Sequence, residues 1–266
     1  MRYGLCVANI GSYADPRVTV TFARAAEAAG WEALFVWDHL AFVWGPPAAD
    51  PWVTLAAVAE ATGTIRIGTM VTPVPRRRPQ VLAQQVATLD VLSGGRVTFC
   101  AGLGGSASEF TRFGEPDDAH VRAEMLDEGL DLLRSLWTGE EVEHRGAHYT
   151  VDGVTLAPRP VQERLPIWIG GNRRPSLRRA ARWDGWAASA SSPEAMQLSP
   201  DDVRRRVEFI RAGGGTGDVS IDGYSDRADP RAYERAGATW WLEAIHDMRG
   251  SPDELLRVVS AGPPTP

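Results

Sequence analysis

The residues best suited to move a proton are Asp38 and His39, at the end of the apolar run 33–38 (ALFVWD). An imidazole titrates near neutral pH, so a histidine at a strand mouth can serve as acid or base. The adjoining carboxylate can orient that ring or accept a backbone N–H. A structural pair capping the strand end accounts for the same two residues equally well. A second set of positions carries no side chain to obstruct a ligand: Gly102, Gly104 and Gly105 around the end of the run 97–103, and Gly170 and Gly171 at the end of 166–170. Their amides can face a planar ring or phosphate oxygens. Gly170-Gly171 leads through Asn172, Arg173 and Arg174 into a helix near Pro175, whose N-terminus favours an anion. Any one of these glycines alone is ordinary turn chemistry; the signal lies in several such loops facing one mouth. Arg76-Arg77-Arg78 reads as a site for a phosphate or polyanion, or as a solvated charge run. Trp37, Trp44 and Trp52 read as walls of an aromatic pocket, or as core and lid packing.

Several chemistries are excluded by residue type. The 28 basic residues are all arginine. Schiff-base catalysis, pyridoxal phosphate attachment and a P-loop lysine are therefore ruled out. His144 and His148 fall in an expected hairpin, no H-E-x-x-H occurs, and two cysteines cannot build a structural zinc site alone, so no metal site is expected. The G-x-S-x-G of a nucleophile elbow is also missing. A net charge of −6 argues against nucleic-acid binding. No apolar run is long enough to span a bilayer, so no membrane association is expected. The N-terminus lacks a signal-peptide pattern. Cys6 and Cys100, both inside apolar runs, read as buried thiols in a reducing compartment. A cytoplasmic location is the expectation.

The elements that must position these groups alternate along the chain. Strand-length apolar runs occur at 3–9, 33–38, 65–72, 97–103, 166–170, 185–190, 218–224 and 238–245. Helical patterns occur at 16–29, 51–61, 79–92, 120–137, 175–183, 200–212, 230–236 and 252–260. Eight βα units in about 250 residues read as a closed (β/α)₈ TIM barrel. An open doubly wound sheet is the rival, but Asn9-Ile10-Gly11-Ser12-Tyr13 after the first strand is not G-x-G-x-x-G. Residues 138–165 interrupt the alternation between the fourth and fifth strands, with a hairpin turning at Arg145-Gly146 and then an extended, proline-marked connector. One domain over 1–262 with a frayed tail at 263–266 is expected. In such a barrel chemistry sits at the C-terminal ends of the strands. The segments gathered there are Trp37-Asp38-His39, Thr69-Met70-Val71-Thr72, Gly102–Ser106, Gly170–Arg174, Ser189–Ser192 and Glu243–His246.

Seven stretches in order carry a family resemblance. PQVLAQQVATLDVLSGGR at 79–96 resembles the third helix of the luciferase-like flavin-dependent oxidoreductases. YGLCVAN, AAEAAGWEALFVWDHL at 25–40, IRIGTMVTP at 65–73, AGLGGSASEFTRFGE at 101–115, RAEMLDEGLDLLRSLWTGE at 122–140 and LPIWIGG at 165–171 agree with it. The match in order and spacing runs through residue 190. The resemblance implies a (β/α)₈ barrel that binds FMN or the deazaflavin coenzyme F-420 in its mouth. It implies hydride transfer to or from a small organic substrate, or its monooxygenation. In two-component FMN members a separate flavin reductase is the partner, and homodimers are common.

Carried over residue by residue, Asp38-His39 matches the D-H pair of many deazaflavin users, with His39 as proton donor or acceptor. Met70-Val71, followed by Thr72, matches a strand bulge with a non-prolyl cis peptide that supports the ring. Gly102, Gly104 and Gly105 match the loop beside the isoalloxazine. Gly170 and Gly171, continued by Asn172 and Arg173, match the loop that meets the ribityl phosphate. The chain departs from the pattern where a glutamate often follows the fourth-strand glycines: it has Ser106-Ala107 there, and Glu109 two residues later. The D-H pair favours the deazaflavin; the missing glutamate favours FMN. Phosphate-binding lysines of some members must be replaced by arginine or backbone amides. The covering insertion is reduced, so a more open pocket, or a lid from a partner subunit, is expected. The competing readings are a non-catalytic flavin carrier or sensor on the same barrel, and a cofactor-free barrel lyase or hydrolase.

Overall fold

A computed structural model describes residues 1–40 and 45–264. In chain order its strands are β1 (Arg2–Val7), β2 (Ala33–Val36), β3 (Arg66–Thr69), β4 (Thr72–Pro73), β5 (Val97–Gly102), β6 (Glu141–Arg145), β7 (Thr150–Thr155), β8 (Ile167–Gly170), β9 (Gly185–Ala188), β10 (Asp218–Gly223) and β11 (Trp240–Ile245). The helices are α1 (Pro16–Ala28), α2 (Pro51–Ala61), α3 (Pro79–Ser93), α4 (Ser108–Thr111), α5 (Ala119–Leu136), α6 (Arg174–Ala180), α7 (Pro200–Ala212), α8 (Pro230–Arg235) and α9 (Pro252–Ser260).

The wall runs β3-β2-β1-β11-β10-β9-β8-β5, and β3 also pairs with β5. That last pairing closes eight parallel strands into the expected (β/α)₈ barrel. The closing seam is short, with Ile67 opposite Val97 and Gly68 opposite Thr98. Residue 68 must be glycine there, because a Cβ would lie 2.0 Å from the Thr98 carbonyl oxygen. The run 65–72 does not stay one strand: after β3 the chain leaves the wall at Met70-Val71, whose peptide is cis, and rejoins it as β4 beside Ala101 and Gly102.

Local sequence sets where the helices begin. Asp15, Asp50, Ser199, Asp229 and Ser251 each cap a helix with a side-chain oxygen, and each is followed by proline in the first turn. The cap satisfies an orphan N–H, and proline supplies a fixed φ where its missing N–H is not needed. α3 stops at Gly94, whose φ of 66° closes the last turn.

Strand alternation separates two cores. Leu34, Val36, Trp241 and Ile245 face the helices, whereas Ala33, Phe35, Cys6, Cys100, Trp168, Trp240 and Leu242 fill the barrel interior. Both strand faces are thus apolar, which is why the sequence runs are continuous. Inside, large rings are matched to glycines: Phe35 packs on Gly68, and the Trp168 indole on Gly185. Cys6 and Cys100 are free and buried, and burial raises both thiol pKa values.

The interruption between β5 and β8 is the hairpin β6–β7, whose turn spans Gly146 to Tyr149 rather than Arg145-Gly146. The hairpin is pinned to α5: Glu128 pairs with His144 at 2.9 Å and accepts the Tyr149 N–H at 2.8 Å, and Glu124 pairs with His148 at 3.2 Å. No described group of three or more His, Cys, Asp or Glu residues could hold a metal ion. No described helix is long and apolar enough to cross a membrane.

Glu27 of α1 ties down the turn between α2 and β3. It accepts the N–H groups of Gly63 (2.9 Å), Thr64 (2.6 Å) and Ile65 (3.0 Å). Burial pushes this carboxyl up, but those donors outweigh it and hold it at about 2, against an ordinary 4.5. A folded-state value below the unfolded one stabilises above the unfolded value, and that gain is lost as pH falls through the folded one. Glu27→Gln is therefore expected to destabilise by about 1 kcal/mol at neutral pH, since the site is solvent-screened. Urea titrations should show the difference disappearing toward pH 2.

Candidate active site

At the C-terminal rim, β2 delivers Trp37-Asp38-His39, the β3–β4 segment delivers Thr72 and Arg76-Arg77, and α4 after β5 delivers Glu109. These converge on one network. The Glu109 carboxylate lies 3.1 Å from His39 Nδ1, accepts the Leu40 N–H at 2.5 Å, and accepts Arg76 Nη1 at 2.7 Å. Arg76 Nη2 donates to Asp38 Oδ1 at 2.8 Å and to the Asp38 carbonyl at 2.7 Å. Arg77 embraces the same carboxylate, with Nη2 2.8 Å from Oδ1 and from Oδ2. The Thr72 hydroxyl donates to Asp38 Oδ2 at 3.0 Å and lies 2.9 Å from the Thr69 hydroxyl.

Two partly buried arginines and two buried carboxylates balance each other here. Side-chain exposure is 0% for Glu109, 1% for Asp38 and 7% for Arg76, but 27% for His39. The imidazole is the group of this network that reaches outward. Burial pushes the Glu109 carboxyl up, but the His39 hydrogen bond, the nearby charges of His39 and Arg76, and the Leu40 N–H hold it below the usual range. An ionised Glu109 can only accept from His39 Nδ1, which leaves Nε2 as the ring nitrogen on the far side from the carboxylate. The arrangement can take up or deliver a proton at the rim, with the resulting imidazolium stabilised from behind.

The sequence-based candidates fall into place unevenly. His39 stands at the mouth as expected. Asp38 does not orient the ring; its carboxylate is occupied by Arg76, Arg77 and Thr72, and Glu109 takes the orienting position. Arg76 and Arg77 are neither a solvated run nor an anion site, because both guanidiniums are turned inward onto carboxylates. Gly102 and Gly170 make room for Val71: a Cβ would approach its methyls at 2.6 and 2.9 Å. Val71 and Met70 pack on the barrel interior beside Trp37. Gly104 (φ 84°) accommodates the Phe110 ring and Gly171 (φ 106°) the Ser176 hydroxyl, whereas a Cβ at Gly105 would meet nothing within 4 Å. Asn172 bridges to the β9 end through the Ser189 carbonyl at 2.6 Å. Arg173 is exposed, and its guanidinium makes no hydrogen bond or ion pair among the described residues. Trp52 is core, stacked near Phe99, Trp37 is at the mouth, and Trp44 lies outside the described residues.

The sequence matches the luciferase-like monooxygenase model over residues 4–242. The chain belongs to that family. It is 29% identical over 242 residues to an uncharacterised protein of Mycobacterium tuberculosis, covering 80% of this chain and 82% of that one. It is 36% identical over 173 residues to an F-420-dependent glucose-6-phosphate dehydrogenase of Microbacterium testaceum, covering 63% of this chain and half of the relative's length. An F-420-dependent secondary alcohol dehydrogenase, solved with an F-420–acetone adduct, superimposes with a TM-score of 0.80 at 19% identity, covering 99% of both chains. This last likeness establishes the shared fold.

In this luciferase-like chain a cleft of about 380 Å³ opens at the opposite end of the barrel, between Arg164, Trp168, Arg211 and Asp218. Arg164 pairs with Asp184 and Arg2 with Asp218, Arg211 donates to the Gly215 and Gly217 carbonyls, and strand starts in this fold serve stability rather than chemistry. The packing of Val71 against Gly102 gives a direct check on the rim. Gly102→Ala forces the bulge to move, with an expected loss of about 1–3 kcal/mol from overpacking. Thermal denaturation and cofactor titration of the variant should both register it.

Proposed function

We propose that this chain is an oxidoreductase that holds the deazaflavin F-420 at the C-terminal mouth and moves hydride between it and a small organic substrate. His39 exchanges the accompanying proton. The observation that carries the reading is the Glu109–His39 pair, fully buried on the carboxylate side and partly exposed on the imidazole side. It also favours F-420 over FMN: Ser106-Ala107 stands where the family's glutamate is expected, yet the α4 turn brings Glu109 onto the imidazole. The argument for FMN from a missing glutamate therefore loses its basis. The F-420-dependent relative and structural neighbour lend support.

The residues of the rim fit such a group. Met70, Val71 and Trp37 offer an apolar platform over the barrel core. Gly105 leaves open space that a side chain would fill, and Arg173 offers an uncommitted cation toward an anionic tail. When bound, the deazaflavin supplies the two-electron acceptor or donor chemistry. In the direction of alcohol oxidation, His39 Nε2 takes the hydroxyl proton as the carbon gives up hydride, and Glu109 stabilises the cation formed. In the reverse direction His39 returns that proton to the carbonyl oxygen.

Titration of the apo-protein with F-420 and with FMN, followed by fluorescence, tests the assignment. Saturable binding of F-420 in preference to FMN is expected. The opposite order would make the protein an FMN enzyme supplied by a separate reductase. Tight binding without turnover of any alcohol or ketone would leave a carrier.

A further inference from the structure

Diametrically across the barrel from β3, the ends of β9, β10 and β11 bring together a second polar group that the His39 network does not use. Asp222 accepts the Ala190 N–H at 2.6 Å and the Ser191 hydroxyl at 2.5 Å. The Tyr224 phenol lies 2.8 Å from His246 Nε2. His246, directly after β11 and in two-residue spacing with the inward-facing Trp240 and Leu242, is only 4% exposed, and its Nδ1 has no hydrogen-bond partner among the described residues. Trp37 stands between the two sides of the mouth, its ring centroid 5.8 Å from that of His39 and 6.4 Å from that of His246.

We propose that Tyr224 and His246 form a second hydrogen-bonding station, which takes an uncharged hydroxyl of the substrate while His39 serves the reacting oxygen. The identity of the reacting end rests on the oxidoreductase reading above. The station itself rests on Nδ1, which no described residue partners, because a buried polar nitrogen is destabilising unless a ligand or a water meets it.

Charge on both sides of the station selects a neutral group. Arg249 is held by Glu243 at 2.5 Å and donates to the Ala244 carbonyl at 2.7 Å, and Arg227 donates to the Pro193 carbonyl at 2.8 Å. Arg249 is neutralised by Glu243, Arg227 is exposed and holds backbone carbonyls through Nη1, and the Asp222 side chain beside the site opposes an anion. An ammonium is disfavoured by Arg227, whose charge no described carboxylate neutralises. Burial, then Arg249 and Arg227, lower the His246 pKa, so the ring is met as neutral imidazole. Depending on the tautomer, Nδ1 is a donor or an acceptor; a hydroxyl can satisfy either, and a carbonyl only one.

The test compares cyclohexanol, its para-diol quinitol, and the corresponding hydroxy acid. With F-420-loaded protein, kcat/KM for quinitol should exceed that for cyclohexanol about tenfold, the scale of one well-made hydrogen bond. The hydroxy acid should be worse than quinitol. Tyr224→Phe and His246→Gln should each abolish the preference for quinitol. The glutamine keeps a polar group at the Nε2 position for Tyr224 while removing Nδ1, which guards against a merely unfolded variant. Independently of turnover, quinitol but not cyclohexanol should shift the His246 Nδ1 resonance in nitrogen-labelled protein. An unchanged preference in either folded variant, a preferred hydroxy acid, or an unmoved resonance would overturn the proposal. Lack of turnover with every alcohol would count against the redox reading instead, and the resonance would then decide the station alone.

Discussion

His39→Asn is expected to lower kcat by about 10²–10⁴-fold, the usual contribution of a positioned acid or base, while the dissociation constant for the cofactor stays within about threefold. Asparagine places an amide near the Nδ1 position, so the Glu109 contact at 3.1 Å has a replacement donor and the buried network is preserved. What disappears is Nε2, the atom proposed to exchange the proton. Steady-state kinetics and a parallel fluorescence titration separate the two effects. Unchanged turnover in a variant that binds cofactor normally would remove His39 from the chemistry.

The second large effect is on stability. Arg76 bridges the two buried carboxylates, reaching Glu109 with one nitrogen and Asp38 with the other. Arg76→Met leaves two buried acids with a single compensating arginine. Breaking a buried pair from one side typically destabilises by about 3–5 kcal/mol, a large share of the about 5–15 kcal/mol available to a domain. Urea unfolding at neutral pH should show it. The sign with pH follows from Glu109, whose pKa is depressed in the folded protein. Its contribution is present above the unfolded carboxyl value and lost as pH falls through the folded one. Without Arg76, burial is less opposed, so the variant's deficit should shrink on acidification. A loss below about 1 kcal/mol would mean that Arg77 and Thr72 suffice for Asp38.

The barrel is legible because its signals are local. Aspartate or serine followed by proline marks five helix starts, and strands covered on both faces must be continuously apolar. The site is harder to read because its decisive contacts join residues far apart. Arg76-Arg77 looks like a surface charge run until Asp38 is placed beside it. Glu109 looks displaced until the single turn of α4 aims it at His39. The glycines look open to a ligand in the sequence, whereas Gly102, Gly104, Gly170 and Gly171 yield space to Val71, Phe110 and Ser176. Side-chain absence is visible in a sequence; what occupies the vacated volume is not. Tyr224 belongs to no motif, and His246 is legible only as the end of the Glu243–His246 rim segment, not as the partner of Tyr224.

The closing seam has a consequence for how the molecule fails. β1 and β11 are zipped along six matched positions, but β3 and β5 meet at only two before the wall is interrupted. The cylinder is mechanically a hoop with one short clasp, and the clasp lies directly beneath Thr72, Arg76 and Glu109. If it springs, the arc from β8 round to β1 keeps its pairings while the side that carries His39 and Glu109 comes apart, so loss of activity should precede loss of the barrel.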